Sequence, residues 1–192
     1  MSIDFEKIFD SVERVALVRA LKYCRCDPRF IEVVMDIYMG DPTEIWRNGK
    51  VVLDTEITSG IRQGCTGSPQ LFVMVGNIVI NSIVESKLGY RDEEFYIPVL
   101  FYADDGLLWP DPVRREEMIQ MVVEVAGKCG LCINKGKSSV LLYHCREGKP
   151  DEVGGMKVVS SIRLCFGECQ KGKKKVSRKN GKFDVLNNFK IM

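Results

Sequence analysis

Histidine is nearly absent from this 192-residue chain, with one copy, and Cys129-Gly-Leu-Cys132 is the only C-x-x-C pair. A zinc or redox module built on that pair would need further ligands, which the lone histidine, Cys24/Cys26 and Cys165/Cys169 supply poorly. No apolar run approaches the ~20 residues of a membrane span, so no membrane partner is expected. The opening MSIDFEKIFD carries no signal-peptide pattern, so the eight cysteines are read as free thiols in a reducing, intracellular compartment, nuclear or cytoplasmic. Internal repeats are also missing. What remains is 45% hydrophobic residues over a length suited to one ordinary domain with a sizeable core.

Acidic residues are scarce at the C-terminal end. Residues 170–192 hold eight Lys/Arg against Asp184, a charge of +7, which leaves −5 for residues 1–169 within a total of +2. A basic tail on a mildly acidic body suits a polyanion, although many basic runs are only solvated or serve as targeting signals.

The hydrophobic pattern orders the rest. SIDF reads as the end of a short strand. SVERVALVRALKYC, with Val12, Val15, Leu17, Val18 and Leu21 at near-helical spacing, and PRFIEVVMDIYMG, from Pro28 to Gly40, read as two amphipathic helices. TEIWRNGKVVLDTE reads as a hairpin turning at Asn48-Gly49. The run from Ser68-Pro69 to Gly89 suits a buried central helix, IPVLFYADDGLLWP a second hairpin with an Asp-Asp-Gly turn, and PVRREEMIQMVVEVAGKCG a helix with Met118, Met121, Val122 and Val125 on one face. LCINKGKSSVLLY returns to strand character. This order implies an α+β fold, helices packed on one face of an antiparallel sheet.

In FYADDGLLWP, Asp104 and Asp105 stand side by side between apolar runs. Adjacent carboxylates repel, and desolvating either costs several kcal/mol unless it is paired or bound to metal. Asp-Gly is also simply a favoured turn. Asp4, however, ends an apolar stub in the same manner, and three carboxylates meeting at strand ends are the arrangement that two Mg²⁺ ions need. Such a pair, ~4 Å apart, can activate an attacking 3′-hydroxyl and stabilise leaving pyrophosphate.

IDFEKIFDSV, GIRQGCTGSPQLF, FYADD and GLCINKGKSSVLL, in this order and spacing, resemble the successive motifs of reverse transcriptases of LINE-type, non-LTR retrotransposons, over roughly residues 1–143. SSIRLCFGE resembles the primer-grip hairpin, with Phe166-Gly167 where the family usually has Leu-Gly. The resemblance implies a polymerase palm over residues 1–168 followed by a basic tail, 169–192. The fingers precede the first aspartate in that family, and a thumb bundle follows the primer grip. Truncated fingers, no evident thumb and no endonuclease are therefore expected of this chain.

For single residues the resemblance implies the following roles. Asp4, the carbonyl of Phe5, Asp104 and Asp105 would hold two Mg²⁺. Phe9 would lie under the incoming sugar and select deoxynucleotides; without the family it reads as a core Phe. Asp10 would be structural. Arg62, Gln63 and Gly64 would lie against the nascent base pair, Gly64 permitting close backbone approach. Cys65-Thr66-Gly67 departs from the family's proline-containing loop, while Ser68-Pro69 makes a sound helix start. Lys137 would neutralise charge near the leaving pyrophosphate; Lys135 competes for that role, and a solvated turn lysine is the plain alternative. Tyr102, Phe166 and Gly167 would contact the primer, and Trp109 would pack the hairpin. The implied activity is RNA-directed DNA synthesis from a DNA primer, an RNA template and deoxynucleoside triphosphates. The alternative is a retroelement fragment that folds and binds metal or nucleic acid weakly without turnover.

Overall fold

The structure, a computed structural model, describes residues 1–38, 42–92, 95–102, 105–142, 150–164, 167–170 and 189–190. Asp104, Phe166 and nearly all of the basic tail lie outside them. In chain order the elements are β1 (Ser2–Ile3), β2 (Phe5–Glu6), α1 (Ile8–Ser11), α2 (Arg14–Tyr23), α3 (Pro28–Tyr38), β3 (Pro42–Arg47), β4 (Lys50–Glu56) and α4 (Ser68–Ser86). There follow β5 (Val99–Tyr102), β6 (Asp105–Leu108), α5 (Arg115–Gly127), β7 (Cys132–Ile133), β8 (Ser139–Leu141) and β9 (Glu152–Val153). The last are β10 (Met156–Val159), β11 (Ser161–Leu164), β12 (Gly167–Gln170) and β13 (Phe189–Lys190). No helix among the described residues is long and apolar enough to cross a membrane.

The chain forms two compact units. One comprises Met1–Asp4, Leu88–Ile119 and Ile133–Met192. Its centre is a six-stranded sheet of order β5-β6-β1-β8-β10-β9. β1 lies antiparallel to both β6 and β8, whereas β8 and β10 run parallel. The sheet is therefore mixed, which corrects the antiparallel sheet expected from the sequence. The reason is β9, which takes the antiparallel place beside β10 across a Gly154-Gly155 turn and leaves β10 running alongside β8. Leu107 and Ile162 are buried together, with Trp109, Leu141 and Val159 packed on them. Trp109 thus packs its hairpin, as its sequence context suggested.

Within β5–β6 the pairs are Tyr102↔Asp105 and Phe101↔Gly106. The expected Asp-Asp-Gly turn is corrected accordingly: Asp105 and Gly106 belong to strand β6. Gly106 is there because of crowding rather than turning. A Cβ on it would lie 2.6 Å from both Ile3 Cγ1 and the Phe101 ring, well inside van der Waals contact.

The second unit comprises Phe5–Lys87 and Gln120–Cys132. Ala16, Leu17, Ala20 and Leu21 form the buried stripe of α2, and Leu71, Phe72, Val75, Val79 and Ile83 that of α4. These recur three and four residues apart, as an inward helical face requires. Val15 falls off that stripe and is exposed, against the sequence reading. α4 begins at Ser68 and ends at Lys87 in the left-handed conformation, two residues before the glycine expected to close it. The Asn48-Gly49 hairpin forms as read, both turn residues having positive φ. Gly130, at φ +79°, carries the chain past the Ser11 carbonyl, which a Cβ would approach to 2.3 Å.

Candidate active site

The site of the first unit is built by register. Met1 and Leu108 exchange main-chain hydrogen bonds in both directions, 2.7 Å each, and Ser2↔Leu107 and Ile3↔Gly106 follow. Asp4 is the next residue after the last of these pairs on β1, and Asp105 the one before Gly106 on β6. On the other side Ser2 pairs with Ser139, so the same count sets Lys137 beside Asp4. Tyr102 already pairs with Asp105. Four residues singled out from the sequence are therefore brought to neighbouring strand ends, a row in the order Tyr102, Asp105, Asp4, Lys137.

The row has a definite electrostatic character. Two carboxylates directly opposite each other destabilise a sheet. Lys137 Nζ lies 3.9 Å from Asp4 Oδ1, with the lysine side chain 70% exposed and the aspartate 24%. At that distance and exposure the pair is worth about 1 kcal/mol or less. The donor set is anionic oxygen at neighbouring strand ends, which fits a hard divalent cation. Among the described residues no group of three Asp, Glu, His or Cys side chains converges, and the third carboxylate of the expected set, Asp104, is outside them.

The loop between β7 and β8 receives the main-chain groups of Asp4. The Asp4 N–H donates to Ser138 Oγ at 3.1 Å, and the Asn134 N–H donates to the Asp4 carbonyl at 2.8 Å. Asn134 Oδ1 accepts the N–H groups of Gly136 and Lys137 at 3.1 and 3.2 Å, an Asx turn that closes the loop. Ser138 is buried. Neither Asn134 nor Ser138 was singled out from the sequence. The one available signal was a turn-forming Asn-Lys-Gly-Lys inside a run read as strand.

Phe5, Phe9, Arg62, Gln63 and Gly64 belong to the second unit. Phe5 is buried. Phe9 is half-buried, its ring 5.7 Å from that of Phe72 and tilted by 43°. Gln63 Nε2 donates to Asp10 Oδ1 at 2.8 Å, so Asp10 orients the amide of the motif. The guanidinium of Arg62 lies 5.9 Å from the centre of the Tyr38 ring. A cleft of about 460 Å³ opens beside them, lined by Asp10, Arg14, Ser59, Arg62 and Gln63 among others. Gly64 has φ +83°, and a Cβ there would meet nothing within 4 Å. Ser68 does not cap α4: Gly67 is the N-cap, and the buried Ser68 hydroxyl donates to the Arg62 carbonyl at 2.6 Å and lies 3.2 Å from Tyr38 Oη. Its work is to tie the motif loop to α3. Gly167 pairs with Leu164 in the β11–β12 hairpin.

These features are accompanied by a family-wide match: the profile of reverse transcriptase (RNA-dependent DNA polymerase) covers residues 1–181. The chain belongs to that family. Among individual proteins, it is 31% identical over 166 residues to a retrovirus-related Pol polyprotein from type-1 retrotransposable element R2 of Bradysia coprophila, covering 84% of this chain and 18% of that protein. It is 27% identical over 145 residues to a transposon TX1 uncharacterized 149 kDa protein of Xenopus laevis, covering 74% of this chain and 11% of that one. The chain thus spans less than a fifth of either relative. Among solved structures, telomerase from Candida albicans, in complex with a TWJ fragment of telomeric RNA, superimposes with a TM-score of 0.63 at 13% identity, over 97% of this chain and 31% of that one. That likeness shows the fold, a mixed sheet with helices.

The reverse transcriptase motif loop also carries an unusual thiol. Cys65 is exposed, and above all a hydrogen bond from the Gly67 N–H pulls its pKa below the ordinary thiol value. Cys129 is buried, and desolvation pushes its thiol up. Since the thiolate is the reacting species, iodoacetamide at neutral pH is expected to label Cys65 well before Cys129. Peptide mass spectrometry of a time course checks the order, and faster labelling of Cys129 would contradict it.

Proposed function

We propose that this chain carries the palm of an RNA-directed DNA polymerase and extends a DNA primer on an RNA template with deoxynucleoside triphosphates. The observation that carries the reading is the row Tyr102, Asp105, Asp4, Lys137, which gathers residues from three separate stretches of the sequence at neighbouring strand ends. Asp4 and Asp105, with Asp104 next to the latter in the chain and the carbonyl of Phe5 next to the former, would hold two Mg²⁺. When bound, those ions supply activation of the 3′-hydroxyl and charge stabilisation at the leaving pyrophosphate. Lys137 presents a cation at the end of the row, where negative charge on a departing phosphate would be neutralised. Tyr102, 61% exposed, offers a ring to the primer end. The β11–β12 hairpin, with Gly167 and Phe166, would grip the primer. Arg62, Gln63 and Gly64 would face the nascent base pair, with Asp10 holding the glutamine amide.

The Phe9 ring, propped against Phe72, would fill the space of a 2′-hydroxyl and make the enzyme select deoxynucleotides. Primer extension on an RNA template, with deoxy- and ribonucleotides compared, tests both levels. The unaltered chain is expected to extend with deoxynucleotides, and Phe9→Ala to raise ribonucleotide use at least about tenfold, a steric exclusion of ~1.4 kcal/mol. Unchanged sugar preference in Phe9→Ala would remove that residue's role. No extension by the unaltered chain would leave the non-enzymatic alternative, a fold that binds without turnover.

A further inference from the structure

We propose that Ser138 is a positioning residue for Asp4, holding its main chain so that its carboxylate faces Asp105, with Asn134 shaping the loop that delivers Ser138. The inference rests on the metal-binding reading of Asp4 above and adds to it a residue that the motif pattern does not single out.

The physical need arises where β1 ends. Ser2 and Ile3 are held by their neighbours in the sheet, but Asp4 is the first residue past the strand, and β2 begins at Phe5. A carboxylate there would turn freely unless its backbone were fixed. The ladder to β6 ends one residue earlier, at Ile3↔Gly106. Two bonds from the 134–138 loop fix it instead: the Ser138 hydroxyl accepts the Asp4 N–H, and the Asn134 N–H meets the Asp4 carbonyl. Ser138 can serve as a fixed anchor because it is 2% exposed, and its own N–H is bonded to the Asn134 carbonyl at 2.8 Å. Asn134 closes the loop through its side chain, and the same turn sets Lys137 3.9 Å from Asp4. One short loop therefore sets both the first carboxylate and the cation beside it. A site for metal ions depends on such outer support, because ligands left loose bind less tightly and less uniformly.

Binding of Mn²⁺ to the whole chain, followed by the loss of the free-ion EPR signal, reads the effect without relying on turnover. Ser138→Ala is expected to weaken Mn²⁺ binding about tenfold, with its thermal transition intact at the temperature of the titration. Ser138→Thr, which keeps the acceptor oxygen, is expected to recover most of the loss. Asn134→Ala should weaken binding in the same direction, and Asn134→Asp, which preserves the Asx turn, should do so less. In extension assays the loss should fall on kcat and on the Mg²⁺ requirement, leaving KM for the nucleotide nearly unchanged. Should Ser138→Ala fail to fold, the Asn134 pair carries the test. If Ser138→Ala binds Mn²⁺ as the unaltered chain does while Asp4→Asn does not bind it, the positioning role is wrong and the metal-binding reading stands. If Asp4→Asn also binds unchanged, or the unaltered chain binds no Mn²⁺, the reading beneath it fails.

Discussion

Asp105→Asn is expected to reduce RNA-templated primer extension by about a thousandfold or more while leaving the protein at least as stable as before. Asparagine keeps the size of the side chain and one acceptor oxygen, so strand pairing with Tyr102 and the pairing of β1 with β6 survive. What it loses is the negative charge and a hard anionic donor, the property on which a divalent ion depends. Removing a single preorganised charge-stabilising group costs 10²–10³ in other enzymes, and loss of a metal ligand acts on both reacting oxygens. The stability effect has the opposite sign. Asp4 and Asp105 stand at the adjoining ends of β1 and β6, and neutralising one relieves a like-charge repulsion worth about 0.2–1 kcal/mol. Asp4→Asn should behave similarly, and the double variant should be scarcely less active than either single one, since residues that act together lose their function together. Extension assays and thermal melts of the three variants check this. Activity retained in Asp105→Asn would remove the row from the active site. Activity lost together with a large drop in melting temperature would show a structural cause instead.

The second large effect is expected from Gly106→Ala, which adds one methyl group and no charge. That methyl would stand 2.6 Å from Ile3 Cγ1 and from the Phe101 ring. Ile3 is 1% exposed and has nowhere to retreat, so β1 itself must move away from β6. Overpacking of this kind costs about 1–3 kcal/mol. For a chain of this size that corresponds to a melting temperature lowered by roughly 2–4 °C for each kcal/mol. Gly106 sits on the row next to Asp105 and Asp4, so the shift is also expected to open the distance between the two carboxylates and lower activity. Urea or thermal unfolding measures the first effect and primer extension the second. A Gly106→Ala protein of unchanged stability would mean that the strands do not approach as closely as described.

The elements that could be read in advance were those with a local cause. The Asn48-Gly49 hairpin needs only two residues able to take positive φ, and α4 only a long apolar run opened by Ser68-Pro69. The parallel pairing of β8 with β10 had no such cause. It depends on β9 folding back onto β10, and residues 151–159 show little periodicity. Gly106 was misread for a related reason. Asp-Gly is a turn dipeptide by local preference, and only the packing of Ile3 and Phe101 against it shows that the glycine makes room inside a strand. Ser68 was expected to cap a helix by the same local logic, whereas its hydroxyl reaches the Arg62 carbonyl and Tyr38 instead.

For the site itself, the residue types and their order along the chain identified the family and named Asp4, Asp105, Tyr102 and Lys137 one by one, because chemistry that needs oxygen donors and a cation leaves its mark on composition. Their alignment was beyond the reach of the sequence. It follows from the hydrogen-bond register of β5, β6, β1 and β8, in which a slip of one residue would send each side chain to the opposite face. The anchoring of Asp4 by Ser138 was equally hidden, since it joins main-chain and hydroxyl groups 134 residues apart. Local preference decides what a segment can become; only the packed sheet decides which segments meet, and there the close approach of non-neighbours sets the geometry.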